Sequence, residues 1–133
     1  MLSTFPGILY LAPFAATILR FGAGLSFIYV GYVLILRRGN VSSVRLPWIG
    51  HAPQWLTILV GAITLIDGFA IFLGFGTQIA AIVGMILALK FVILWKRFEP
   101  VHILARSTYF LLFLMCLALL LTGAGPYGFD LPL

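Results

Sequence analysis

Residues 54–94 read QWLTILVGAITLIDGFAIFLGFGTQIAAIVGMILALKFVIL, two apolar runs that meet at Gly74-Phe75-Gly76 and hold only two ionisable side chains, Asp67 and Lys90. A helix that crosses a bilayer needs about 20 mostly apolar residues, and the stretches Gln54 to Phe75 and Thr77 to Leu94 both meet that demand. A three-residue glycine turn leaves them no course but to run antiparallel. Outward from this hairpin, comparable runs occupy about Ala15 to Leu36 and Arg106 to Thr122. The sequence therefore predicts an all-α fold: one polytopic domain, residues 1–133, built as a four-transmembrane-helix bundle over about 15–36, 54–75, 77–94 and 106–122. The tail 123–133 is too rich in Gly and Pro to prolong the last helix and is expected to fold back at the outer surface.

Composition agrees with this reading. Apolar residues make up 63% of the 133 and charged residues 8%, against about 25% charged in a soluble domain, and the mean hydropathy is +1.20. A soluble globule could not hide so much apolar surface, and one cysteine excludes an internal disulfide. The residues before the first run lack the positive n-region of a signal peptide, so the first helix is expected to be retained. The net charge of +5 falls in a few clusters and makes no continuous face for a nucleic-acid backbone, so no nucleic-acid partner is expected. The clusters lie between helices: Arg37-Arg38 and Arg45 in the first connection, Lys96-Arg97 in the third, while the Gly74–Gly76 turn has none. Cytoplasmic loops are enriched in Lys and Arg, which predicts the first and third connections inside and both termini outside. Trp48, Trp55 and Trp95 then fall at the inner interface, and Tyr10 and Tyr127 at the outer one.

Lipid offers helices little hydrophobic reason to associate, so close packing depends on small residues. Thr57, Gly61, Thr64 and Gly68 recur at intervals of four and three, as do Thr77, Ala81, Gly84 and Ala88, and Arg20, Gly24, Phe27 and Gly31. Each set follows one helical face, so Gly24, Gly31, Gly61, Gly68 and Gly84 are expected at helix contacts. The fourth helix has only Cys116 and Gly123 at such spacing and is otherwise rich in Leu and Phe. It is expected to pack more loosely or to offer a face to a partner.

Arg20 and Asp67 are the ionisable residues deepest in the runs, and each costs about 2.5–3.5 kcal/mol at mid-bilayer if unpaired. Both fall on or beside the small-residue stripes, so an Arg20–Asp67 network inside the bundle is expected, with Asp130 of the tail as a competing partner for Arg20. The alternatives are that Arg20 reaches the outer headgroups while Asp67 stays protonated, or that the pair forms a ligand or proton site. Lys90, about one turn from a helix end, is expected to extend its ammonium to the interface. His51 and His102 precede the second and fourth helices at the inner interface, a placement open to a bis-imidazole haem or a quinone head-group contact, although interfacial loop histidines are commoner than ligands. Cys116 reads as a small packing residue. No HExxH, GxSxG, P-loop or dinucleotide motif occurs, so no metal or catalytic residue is assigned.

Three segments together resemble DoxX-type membrane proteins. Leu19 to Gly31, LRFGAGLSFIYVG, followed by Arg37-Arg38, is similar to the first helix of that family; Asp67 to Ala81, DGFAIFLGFGTQIAA, to its acidic, glycine-rich second helix, short turn and alanine-led third helix; and Leu121 to Asp130, LTGAGPYGFD, to its closing pattern. The resemblance implies a four-helix protein of the bacterial or archaeal inner membrane. Some members are small membrane subunits of quinone-linked sulfur oxidoreductases and others associate with redox-defence enzymes, so a quinone is the cofactor it suggests. Three functions follow as expectations: a non-catalytic subunit or anchor of a larger redox complex, in contact with lipid and other membrane subunits; a stand-alone quinone-interacting oxidoreductase working at Arg20, Asp67 or the histidines; and a small transporter with Asp67 as a proton site.

Overall fold

The computed structural model describes residues 12–41, 45–46, 50–51, 53–96 and 104–122. Tyr10, Trp48, His102, Tyr127, Asp130 and the tail from Gly123 lie outside the described residues.

Four longer helices carry the fold: α1 (Ala12–Leu36), α3 (Gln54–Leu73), α4 (Thr77–Leu94) and α5 (Arg106–Thr122). Between α1 and α3 come a four-residue helix, α2 (Arg38–Val41), and two short antiparallel strands, β1 (Arg45–Leu46) and β2 (Gly50–His51). Two-residue strands are too short to show alternation in sequence; within β2, Gly50 takes a positive φ of 77°. α1 begins three residues earlier than the apolar run suggests. Pro13 is tolerated there, since the first-turn amides have no acceptor within the helix. α3 stops at Leu73 instead of running on to Phe75. Gly74 turns left-handed (φ 73°, ψ 34°), its amide donates to the Ala70 and Ile71 carbonyls, and the Phe75 amide donates to Ala70 O, which is the paired arrangement that closes a helix at glycine. Gly76, also left-handed, then launches α4.

α1 packs most closely on α3 and α4 on α5, with α3–α4 and α1–α5 completing a ring of antiparallel neighbours. The α1–α3 contact is a meeting of backbones. A Cβ placed on Gly24 would stand 2.9 Å from the Phe72 amide nitrogen, one on Gly31 2.8 Å from that of Leu65, and one on Gly68 2.7 Å from that of Ile28. Gly61 meets the Ile35 side chain in the same seam. These contacts set the register: Gly24 opposite Gly68 and Phe72, Ile28 opposite Gly68, Gly31 opposite Gly61 and Leu65.

The distribution of side chains is inverted relative to a soluble bundle. Large apolar residues face outward on every long helix, among them Ile18, Leu25 and Tyr32 of α1, Ile66 and Phe69 of α3, Ile79 and Ile93 of α4, and Leu111 and Leu121 of α5. The interior instead collects small and polar residues: Ala16, Ala23, Ala81, Ala88, Thr57, Thr64, Thr77, Arg20 and Asp67. Buried Phe27, Val30, Ile71, Leu112 and Leu119 fill the space between them. Three hydroxyls turn back on their own helix backbone, Ser26 to Gly22 O at 2.8 Å, Thr64 to Val60 O at 2.7 Å and Thr122 to Ala118 O at 2.8 Å, so these need no outside partner. This arrangement suits a solvent as apolar as the side chains themselves. α1, α3 and α4 are each long and apolar enough to cross a membrane. α5, at 17 residues, spans about 25 Å, a little less than the ~30 Å hydrocarbon layer.

Candidate functional site

The carboxyl of Asp67 is set among the helices, about three and a half turns from the Gln54 end of α3 and less than two from Leu73. Asp67 is 5% exposed, and its Oδ2 has no hydrogen-bond partner. Three other elements close around it. A Cβ on Gly84 of α4 would stand 3.0 Å from Asp67 Oδ2, 3.0 Å from Cys116 Sγ of α5 and 3.2 Å from Phe27 Cε2 of α1. The carboxyl, the thiol and the aromatic edge thus converge on the one place in α4 where no side chain projects. Gly84 makes the room: any larger residue there would push against all three at once.

The local chain explains this meeting. Asp67 lies eight residues before Phe75 and Gly84 nine after it, so the tight Gly74–Gly76 turn brings them to one level of the α3–α4 hairpin. Thr64, fully buried one turn earlier on the same face of α3, keeps its hydroxyl on Val60 O. Equal distance from a short turn is the sequence signal that pairs Asp67 with Gly84. Sequence reasoning missed it because it looked along each helix separately, and it took Cys116 as packing alone.

Arg20 is elsewhere. It is 2% exposed, with its guanidinium carbon 5.4 Å from the Phe21 ring centroid, and that ring lies 5.0 Å from the ring of Phe72 near the end of α3. The α1 side chain that reaches the same point of α4 as the Asp67 carboxyl is Phe27, seven positions further along α1. Arg20 is therefore displaced by about 10 Å along the helix axis toward the Gly74 end. The structure brings Asp67 together with Cys116 and Phe27 and sets Arg20 two turns away; Asp130, the third member of the expected network, lies outside the described residues. His51 sits in β2, its backbone paired with Arg45, well removed from the Asp67 level, and His102 is not described. Among the described residues no group of three or more His, Cys, Asp or Glu side chains is placed to hold a metal ion.

A buried carboxyl beside a thiol in an apolar interior can do few things: carry a proton, bind a small cation with help from backbone oxygens, or stand as an internal cost that some partner offsets. Cys116 itself is fully buried, and thiol chemistry needs access. The thiol is expected to resist maleimide while the bundle is folded in detergent and to react fully once unfolded in SDS. Modification of the folded protein at the rate of a small-molecule thiol, followed by mass spectrometry, would contradict the packing described.

No protein family, characterised protein or solved structure matches the chain.

Proposed function

We propose that this chain is a four-span membrane subunit that anchors or completes a larger redox assembly and performs no chemistry alone. In this reading α5 is the fourth span, and the end bearing Arg37, Arg38, Lys96 and Arg106 faces the cytoplasm of a bacterial or archaeal cell, with both termini outside. The observation that carries it is α5. Its outward residues Phe110, Leu111, Leu114 and Leu121 are exposed, and it is seated chiefly on α4, with no glycine seam like the one that locks α1 to α3. A short helix with a large Leu/Phe surface and one principal neighbour suits a second protein's helix. The resemblance of the Leu19–Gly31, Asp67–Ala81 and Leu121–Asp130 segments to DoxX-type proteins supports the same reading, and makes quinone-linked oxidoreductases the partners to seek.

Extraction from native membranes in mild detergent, with mass spectrometry of co-purifying chains and a visible spectrum, tests the proposal. The expected result is a stoichiometric partner chain that dissociates when Leu111 and Leu114 are replaced by Ala, with any absorbance of a redox group following the partner. A single colourless species would overturn it. A second reading, a proton-linked transporter, draws on one specific observation, the unpartnered Oδ2 of Asp67, and is taken up with the Asp67 substitutions below.

A further inference from the structure

The ring stack of Phe91 on Tyr109, with centroids 5.1 Å apart, fixes the level at which α4 and α5 meet. Counting from that pair, Arg106 at the start of α5 stands opposite Leu94, between Lys90 one turn deeper and Lys96 just beyond the end of α4. Lys90, Arg106 and Lys96 are thus gathered within about 9 Å along the bundle axis. The indole of Trp95 donates to Leu104 O at 3.5 Å and ties the two helix ends together at this point. Lys96 and Arg106 are exposed and Lys90 is half-buried.

These features set an unusual requirement. Lys90 projects from a helix whose neighbouring outward residues, Ile86, Leu89 and Ile93, are apolar and exposed, so its ammonium must end among lipid groups. Among the described residues no acidic side chain lies at that end, and at that depth a lipid offers a phosphodiester as counter-charge. We infer that the α4–α5 end holds an anionic phospholipid headgroup, its phosphate between Lys90, Lys96 and Arg106 and its acyl chains along the Ile86, Leu89 and Ile93 surface. Among the described residues Arg37 and Arg38 lie at the same end, but they belong to the α1–α2 junction, and both are exposed. They add attraction to the surface from a different pair of helix ends. The inference is independent of the partner proposed for α5.

The test is titration of the purified chain in dodecyl maltoside with phosphatidylglycerol or phosphatidylcholine, read by native mass spectrometry. Retained phosphatidylglycerol in preference to phosphatidylcholine is expected. A juxtamembrane cation contributes about a fivefold attraction to an anionic lipid surface, so Lys90→Gln, Lys96→Gln and Arg106→Gln combined should weaken phosphatidylglycerol binding on the order of a hundredfold. Lys90→Arg with Lys96→Arg should preserve it, and Arg37→Gln with Arg38→Gln should change it little. Should the triple variant fail to fold, Lys96→Gln with Arg106→Gln, both at exposed positions, gives the same reading with a smaller loss. Equal binding of the two lipids overturns the inference, as does an equal loss from the Arg37 and Arg38 pair, which would indicate diffuse attraction. Displacement of the lipid by millimolar inorganic phosphate would also overturn it, in favour of a solution anion.

Discussion

Gly68→Ala is expected to lower the unfolding free energy of the bundle by about 3 kcal/mol or more, at or above the upper end of the usual cost of overpacking. The added methyl would stand 2.7 Å from the Ile28 amide nitrogen and 3.0 Å from Gly24 O. Neither atom can rotate away; α1 and α3 must part along the whole seam. The modest gain in helix propensity from Gly to Ala, about 1 kcal/mol, does not offset a displaced helix. Gly24→Ala and Gly31→Ala meet backbone in the same manner and should behave alike. Gly84→Ala is the informative contrast, because its methyl would meet only side-chain atoms of Asp67, Cys116 and Phe27, at 3.0 to 3.2 Å. Those can shift by a few tenths of an ångström, so a loss of about 1 kcal/mol is expected there. Gly39→Ala, with nothing within 4 Å, should lie within about 0.5 kcal/mol of the parent. Reversible unfolding in mixed detergent and SDS micelles orders the five; a Gly68→Ala protein as stable as Gly39→Ala would mean that α1 and α3 are not in backbone contact.

That ranking also shows how unevenly the sequence disclosed the molecule. The apolar runs place α4 and α5 because their ends coincide with changes of composition: Gly76 before Thr77, Lys96 after Leu94, Arg106 before Ser107. The small-residue spacing identifies the faces on which Gly24, Gly31, Gly61 and Gly68 lie, but periodicity alone does not state which helix each face meets. In the structure four glycines serve one seam, α1 against α3, whereas Gly84 serves the Asp67 carboxyl. The distinction depends on register between helices far apart in sequence. Opposite charge was a weaker guide than turn geometry for the same reason. Arg20 and Asp67 attract attention as the two deep ionisable residues, yet the glycine contacts set them two turns apart along the axis, and the short Gly74–Gly76 turn gives Asp67 a different neighbour.

Asp67→Ala is expected to make the bundle harder to unfold, by about 1 kcal/mol. A buried polar atom without a hydrogen-bond partner costs about 1–3 kcal/mol, and Asp67 Oδ2 is such an atom. Against that gain stands the cavity left by a carboxyl of about 30 Å³, worth under about 1 kcal/mol at ~24 cal/mol per Å³. Relief outweighs the void. Asp67→Asn keeps the shape and a polar group, so its stability should change little, which makes it the cleaner probe of function. If stability holds in both variants while the partner assembly or a proton-coupled flux is lost, the carboxyl is kept for what it does and not for holding helices together, as ionisable residues within membranes commonly are. If Asp67→Ala instead costs more than about 2 kcal/mol, well outside the expected sign, the carboxyl is engaged in a stabilising network. A double-mutant cycle with Arg20→Gln then decides whether the arginine belongs to it, since additive losses would confirm the two-turn separation and coupling would require the two side chains to meet.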